Sequence, residues 1–258
     1  MQNDYSLTLP GTATREQRLE RAQSVAANAL ERYGENVIAI GVYGSTARGF
    51  DEPYSDLEMA VVVRESVGVR RYEFYLDGWK TEVEFWQPDA LLKYVRDLDI
   101  TWPIWGGQFL HVLSLYDPQN FWATLRAWIE EMPDEMLHEA LREALVGEFL
   151  EHVSKYRNAR LRGDASFMRW VAWQLAWDAV CIVGLANRTC YTSRVEAVRQ
   201  SLALPLIPQG YSELIALFES GHLTDPGLLD ERCERMVAGI LAMGQALSIE
   251  FEVQERPI

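Results

Sequence analysis

Apolar and polar positions along the chain alternate through much of its first half and repeat at helical spacing through its second. Between residues 14 and 33, Leu19, Ala22, Val25, Ala26 and Leu30 fall on one helical face, with Thr12 or Thr14 as N-cap and Gly34 as the stop. Such a helix is expected to cover one face of a sheet. Residues 37–43 form an apolar strand that ends in a Gly-Ser turn, opening a short helix over residues 44–48; a second strand starts at Asp56. On that strand Leu57, Met59, Val61 and Val63 face one way, Asp56 and Glu58 the other. Residues 66–77 carry strand-like positions at Tyr72, Phe74 and Leu76. Asp77-Gly78 then turns the chain into WKTEVEF, where Trp79, Thr81, Val83 and Phe85 alternate with Lys80, Glu82 and Glu84. Asp-Gly between two alternating runs is a strong hairpin signal, and whether the hairpin lies beside the Asp56 strand is left open by the pattern. Residues 1–12 show no pattern and read as a mobile end.

Further along, a helix is expected over residues 88–99, then the aromatic and glycine-rich TWPIWGGQF, a short strand over 111–116 and a helix over 118–131. Met132-Pro133-Asp134 is the best boundary, because proline disfavours helix at the residue before it and no strand signal follows. The chain therefore reads as α+β, with a mixed sheet flanked by helices over 1–132 and an all-helical domain over 133–258. In the helix expected from 134 to about 156, Leu137, Leu141, Ala144 and Leu145 share a stripe that Glu148, Glu151, His152 and Lys155 continue. Two readings are open: a helix passing from a core into a cleft, or a solvated Glu151–Lys155 pair one turn apart. Residues 167–185 are apolar nearly all round, with Asp178 the sole charge in the second half, so that helix is buried in the helical core or at a subunit interface. A loop over 188–193 and helices near 194–202, 210–220 and 226–249 complete the chain.

Composition narrows the class. A content of 48% apolar residues with nine Trp excludes general disorder, and 258 residues allow one large domain or two modest ones. Cys181, Cys190 and Cys233 are too few and too irregularly spaced for a disulfide framework or a zinc site. No apolar run reaches about 18 residues and no leader pattern opens the chain, so the expectation is a cytoplasmic protein with no membrane partner. Twenty-four basic against thirty-eight acidic residues give a net charge of −14. That balance repels nucleic acid and attracts polycations.

The chemistry gathers in residues 38–58. A strand running into a Gly-Ser turn and helix leaves the Gly44 and Ser45 amides unpaired and aimed one way, which favours an anion such as phosphate. Arg48 adds a planar fork of donors. Asp56 and Glu58, on one face of the next strand, present hard oxygen ligands of the kind that hold Mg²⁺. A phosphate cradle followed by two such ligands describes a metal-dependent phosphoryl or nucleotidyl transferase. With the hairpin beside this strand Glu82 can join the same site; spacing alone leaves open whether Glu82 and Glu84 simply face solvent.

Gly44-Ser45-x-x-Arg48, then Ser55-Asp56-x-Glu58, then an acidic residue on a later strand resembles the nucleotidyltransferases of the DNA polymerase β superfamily, and within it the kanamycin (aminoglycoside 4′-) nucleotidyltransferases. The likeness continues through WKTEVEF, TWPIWGGQF, EHVSKYRN (151–158) and RTCYTS (188–193). The resemblance implies transfer of AMP from ATP to the 4′-hydroxyl of an aminoglycoside, and with it antibiotic resistance. It implies that Asp56, Glu58 and Glu82 hold one or two Mg²⁺ ions, and that Gly44, Ser45, Arg48, Ser55 and Ser193 hold the nucleotide. Ser193 replaces a threonine of the family. Glu151 matches the general base and Lys155 a lysine near the phosphate. Glu73, Glu82, Glu148 and Glu151 match the acidic lining of the sugar pocket. The resemblance also implies a homodimer whose active sites are shared between subunits. Gly147 is a departure, standing where the family carries another acid. A lincosamide-like hydroxylated compound, or a protein hydroxyl, is the alternative acceptor.

Overall fold

The computed structural model describes residues 9–68 and 70–251. It divides into two compact units, Met1–Asp97 with Gln108–Glu131, and Leu98–Gly107 with Met132–Ile258. In the first unit, helix α1 (Arg15–Tyr33) starts at Thr14, whose side chain accepts from the Gln17 amide while the Gln17 side chain reaches back to the Thr14 amide; Gly34, at φ 49°, ends it. Of the mobile end expected over 1–12, residues 1–8 lie outside the described residues. The stretch after them is tied down, since Gly11 donates to the Gly78 carbonyl at 2.5 Å and Ala13 to that of Pro53 at 2.9 Å.

Strands β1 (Val37–Tyr43), β2 (Leu57–Val63), β3 (Arg71–Leu76), β4 (Trp79–Trp86) and β5 (Leu113–Tyr116) form one sheet in the order β3-β4-β2-β1-β5. β2 and β4 run parallel and the other neighbours antiparallel, so the sheet is mixed. Asp77 and Gly78, with φ of 55° and 86°, give the tight β3–β4 turn the geometry that matches the strands' twist. One face of the sheet packs Ile40, Val42, Met59, Val61 and Val83 with Ala22, Ala26 and Ala29 of α1. Full burial of each larger side chain there is worth roughly 1.5–3 kcal/mol. The opposite face carries a row of acids, because Glu58 pairs with Glu82 in register and Glu82 with Glu73. Helices α2 (Gly44–Arg48), α3 (Pro88–Arg96) and α5 (Phe121–Glu130) complete the unit. α5 starts at Phe121, later than expected from Pro118, because the Asp117 carboxylate accepts the Phe121 and Trp122 amides at 2.7 and 3.1 Å.

The second unit is helical. Its short α4 (Trp102–Trp105) comes from TWPIWGGQF, which a single boundary at 132/133 assigns to the other part. Long-range contacts decide this: the Tyr191 amide donates to the Pro103 carbonyl at 2.7 Å, and Gly184 leaves room for the Pro103 ring. Helix α6 (Asp134–Glu143), a π-helical stretch (Ala144–Phe149) and α7 (Leu150–Leu161) follow without a break in helical backbone. The π turn corrects the expected stripe. The wider turn shifts the face by one residue, so burial runs through Leu141, Leu145, Phe149, Val153 and Tyr156, while Glu148, Glu151 and Lys155 come to solvent. α8 (Ala165–Ala186), capped by Asp164, is the buried centre against which α4, α6, α7, α9 (Ala197–Ser201), α10 (Tyr211–Ser220) and α11 (Pro226–Ala246) pack. Among the described residues, no helix is long and apolar enough to cross a membrane.

Candidate active site

The sheet unit builds the first half of the site. At the end of β1 the chain turns at Gly44 with φ of 70°, and a Cβ there would lie 1.9 Å from Glu58 Oε2. Glycine is therefore required twice, for a left-handed backbone and for the carboxylate seated against it. Gly44→Ala is expected to destabilise the protein by about 1–3 kcal/mol through backbone strain alone, and to push Glu58 out of place. Urea unfolding and a transfer assay check this; an alanine variant with unchanged stability and turnover would refute it. Gly44 and Ser45 supply first-turn amides that have no partner within the helix. Arg48 closes α2, with loss of hydration lowering its pKa, and its guanidinium lies 5.7 Å from the Phe50 ring centroid.

Asp56 precedes β2 by one residue, Glu58 lies on β2 and Glu82 opposite it on β4. Lys80 gathers Asp56, Glu82 and Glu73, its ammonium lying 2.8 Å from Glu73, 3.2 Å from Glu82 and 3.7 Å from Asp56. Glu58 stands in register beside Glu82 and feels the charge of both Asp56 and Glu82. Arg71 also reaches Glu82 at 2.7 Å. Alternation along β4 puts Lys80 on the acidic face, but only the folded sheet brings it among these carboxylates. Glu58 has the most exacting surroundings. Burial, then the charges of Asp56 and Glu82, push its carboxyl up to about 7. A partly buried acid crowded by like charges calls for a cation, and the oxygen-only donor set suits a hard divalent ion. Among the described residues no three acidic, His or Cys side chains are already drawn into an ion cage. Lys80 supplies the positive charge in this arrangement, and Glu82 would have to exchange its Lys80 and Arg71 contacts for metal coordination.

Ser55, expected near the nucleotide, shapes the loop before Asp56: its hydroxyl oxygen accepts the Glu52 amide at 2.9 Å. The residue that sequence reasoning missed is Arg18. It is 1% exposed, and its guanidinium donates to Asp51 and to the carbonyls of Ser55, Glu52 and Pro53 at 2.8–3.0 Å. An arginine in line with Ala22 and Ala26 on the buried face of α1 was the available signal.

The helical unit carries the other candidates. Glu151 and Lys155 form a 2.6 Å ion pair with side chains 60% and 49% exposed, and the lysine's hydrogen bond and charge lower the Glu151 pKa. Glu148 and Gly147 border a cleft of about 420 Å³ with Asp99, Glu143 and Arg142, and a Cβ on Gly147 would meet only open space. The acid absent at Gly147 is thus not replaced by a neighbour filling its place. Ser193 accepts the Glu196 amide at 3.2 Å, capping the turn before α9. His152 and Asp178, which no local pattern links, meet at 2.6 Å between α7 and α8; burial raises the aspartate's pKa while the histidine lowers it. Glu73, Glu82, Asp56, Glu58 and Gly44 are thus drawn together in the sheet unit, and Glu148, Glu151 and Lys155 along one helical stretch in the other.

Residues 119–250 match the KNTase C-terminal domain family. Two relatives named aminoglycoside nucleotidyltransferase (4′), from Staphylococcus aureus and from a Bacillus species, are each 32% identical over 231 residues, covering 90% of this chain and 91% of theirs. The crystal structure of a nucleotidyltransferase-like protein from Exiguobacterium sibiricum shares the fold, with a TM-score of 0.55 at 12% identity over 88% of this chain and 75% of that one. With the relatives' identity sustained through both the acidic sheet unit and the helical unit, the chain belongs to the aminoglycoside 4′-nucleotidyltransferase family.

Proposed function

We propose that this protein transfers AMP from ATP to the 4′-hydroxyl of kanamycin- or tobramycin-type aminoglycosides, releasing pyrophosphate and giving resistance in the cytoplasm. The observation that carries the proposal is Glu58, seated against Gly44 and raised to about 7 among Asp56 and Glu82. The relatives' names support the acceptor, and the net charge of −14 suits a polycation.

The Gly44 and Ser45 amides and Arg48 hold the triphosphate. Asp56, Glu58 and Glu82 would hold one or two Mg²⁺ ions, which when bound would neutralise negative charge developed in the transfer. Glu151 accepts the hydroxyl proton as that oxygen bonds to the α-phosphorus and the bond to pyrophosphate breaks. Lys155 keeps Glu151 ionised and ready. Glu73 and Glu148 offer carboxylates to the sugar's ammonium groups. The protein acts as a homodimer with sites shared between subunits, a reading that the family resemblance supports. Sedimentation velocity tests the dimer, and recovery of activity on mixing a Glu58→Gln with a Glu151→Gln variant tests the sharing.

Incubation with ATP, Mg²⁺ and a panel of aminoglycosides is expected to release pyrophosphate only when an aminoglycoside is present, with the adduct located by mass spectrometry and NMR. Glu151→Gln should lower kcat by roughly 10²- to 10⁴-fold while calorimetry shows aminoglycoside binding retained. Transfer to a lincosamide or a protein, with none to kanamycin or tobramycin, would overturn the acceptor assignment. Full turnover by Glu151→Gln would remove Glu151 as the base.

A further inference from the structure

The loop over residues 49–55, between α2 and β2, leaves two large aromatic rings in solvent: Phe50 is 68% exposed and Tyr54 67%. A slack loop commonly leaves rings outside, but this loop is braced along its length. Arg18 holds Asp51 and the carbonyls of Glu52, Pro53 and Ser55; Arg15 holds Asp51 and the Thr46 carbonyl; the Ala13 amide donates to Pro53. A ring mounted on such a frame is held ready for a ligand, and covering it removes apolar surface from water.

Phe50 has the placement that Tyr54 lacks evidence for. Its amide donates to the Ser45 carbonyl at 3.1 Å, which ties its backbone to α2, and its ring centroid lies 5.7 Å from the Arg48 guanidinium. Within a nucleoside triphosphate only the ribose separates the base from the α-phosphate. A nucleotide whose α-phosphate rests beside Arg48 therefore has its base within reach of this ring. We propose that Phe50 is a stacking platform for the base of the nucleoside triphosphate, contacting its flat face. The proposal rests on the reading of the cradle as a triphosphate site. Phenylalanine has no hydrogen-bonding group, so it cannot read the base edges, and its contribution should be alike for ATP and GTP.

Calorimetry of the full chain with Mg²⁺, using ATP, GTP and inorganic tripolyphosphate as three probes, tests this. Phe50→Leu keeps an apolar side chain but removes the ring. It is expected to weaken ATP and GTP by similar factors, roughly 5- to 100-fold, and to leave tripolyphosphate within about twofold. Phe50→Trp is expected to restore nucleotide binding. ATP binding unchanged in Phe50→Leu, beside a wild type that binds ATP, would overturn the stacking role and leave the triphosphate site standing. Equal losses for ATP and tripolyphosphate would mean a displaced loop, and would also overturn it. A wild type that binds neither ATP nor tripolyphosphate would remove the triphosphate site and the proposal together.

Discussion

Glu58→Gln is expected to lower nucleotidyl transfer by roughly 10²- to 10³-fold, comparable to the loss of a major electrostatic contact in other active sites, while stabilising the ligand-free protein above neutral pH. Both effects come from one carboxylate. In the folded chain burial and the neighbouring acids raise its pKa from 4.5 to about 7, so the folded state binds that proton more tightly than the unfolded state. Protonated, Glu58 sits against Gly44 without penalty, and its contribution to stability is fully present below about 4.5. As pH climbs through that value towards about 7 the contribution drains away, a total on the order of 3 kcal/mol. Glutamine has no charge to lose. Urea unfolding of both proteins without divalent ions should show the wild type weakening between pH 5 and pH 8 relative to the variant. Glu84, also raised by burial, titrates in both proteins and adds its coupling to Glu58 to the difference. Parallel stability curves would show that Glu58 is not held as the structure places it.

Arg18→Met is expected to cost about 3–5 kcal/mol, the range found when one member of a buried pair is removed. The variant leaves Asp51, 2% exposed, with Arg15 as its remaining ion-pair partner at 2.9 Å. It also strips a donor from the carbonyls of Ser55, Glu52 and Pro53. The Glu52 and Pro53 carbonyls keep the amides of Ser55 and Ala13, but the Ser55 carbonyl loses the Arg18 donor, which adds a penalty. Because this loop leads into Asp56 and carries Phe50, turnover should fall with stability. Arg18→Lys should rescue little, since a single ammonium cannot serve a carboxylate and several carbonyls from one planar fork. Removing the half-paired carboxylate as well, in Arg18→Met with Asp51→Leu, should recover part of the stability. Denaturant titration settles it: a loss below about 1 kcal/mol for Arg18→Met would mean that the loop is held by other contacts.

What could be read in advance, and what could not, separates by the range of the interactions. The β1 strand, the Gly-Ser turn, the α1 caps and the Asp-Gly hairpin depend on residues a few positions apart, and their patterns sit in the chain for that reason. The parallel placing of β4 beside β2, by contrast, came only with the folded sheet, because strand pairing joins residues far apart in the chain. The stripe through residues 137–155 failed because a π turn costs the helix little once Phe149 and Val153 have a core to enter, and no local signal marks it. Likewise the place of residues 98–107 was settled by the Pro103 contacts with Gly184 and Tyr191, far along the chain.

The order of amino acids alone determined which side chains could hold a phosphate and a hard cation, because alternation and turn chemistry put Gly44, Ser45, Arg48, Asp56 and Glu58 where they are. Only the tertiary structure decided their charge states and rigidity. Lys80 and Arg71 reach the acidic row through sheet pairing, burial and the neighbouring acids raise the Glu58 pKa, and Arg18 fixes the loop from a helix that precedes it. Electrostatic energy depends on distance through space and on excluded water, and neither quantity is written in the spacing of residues.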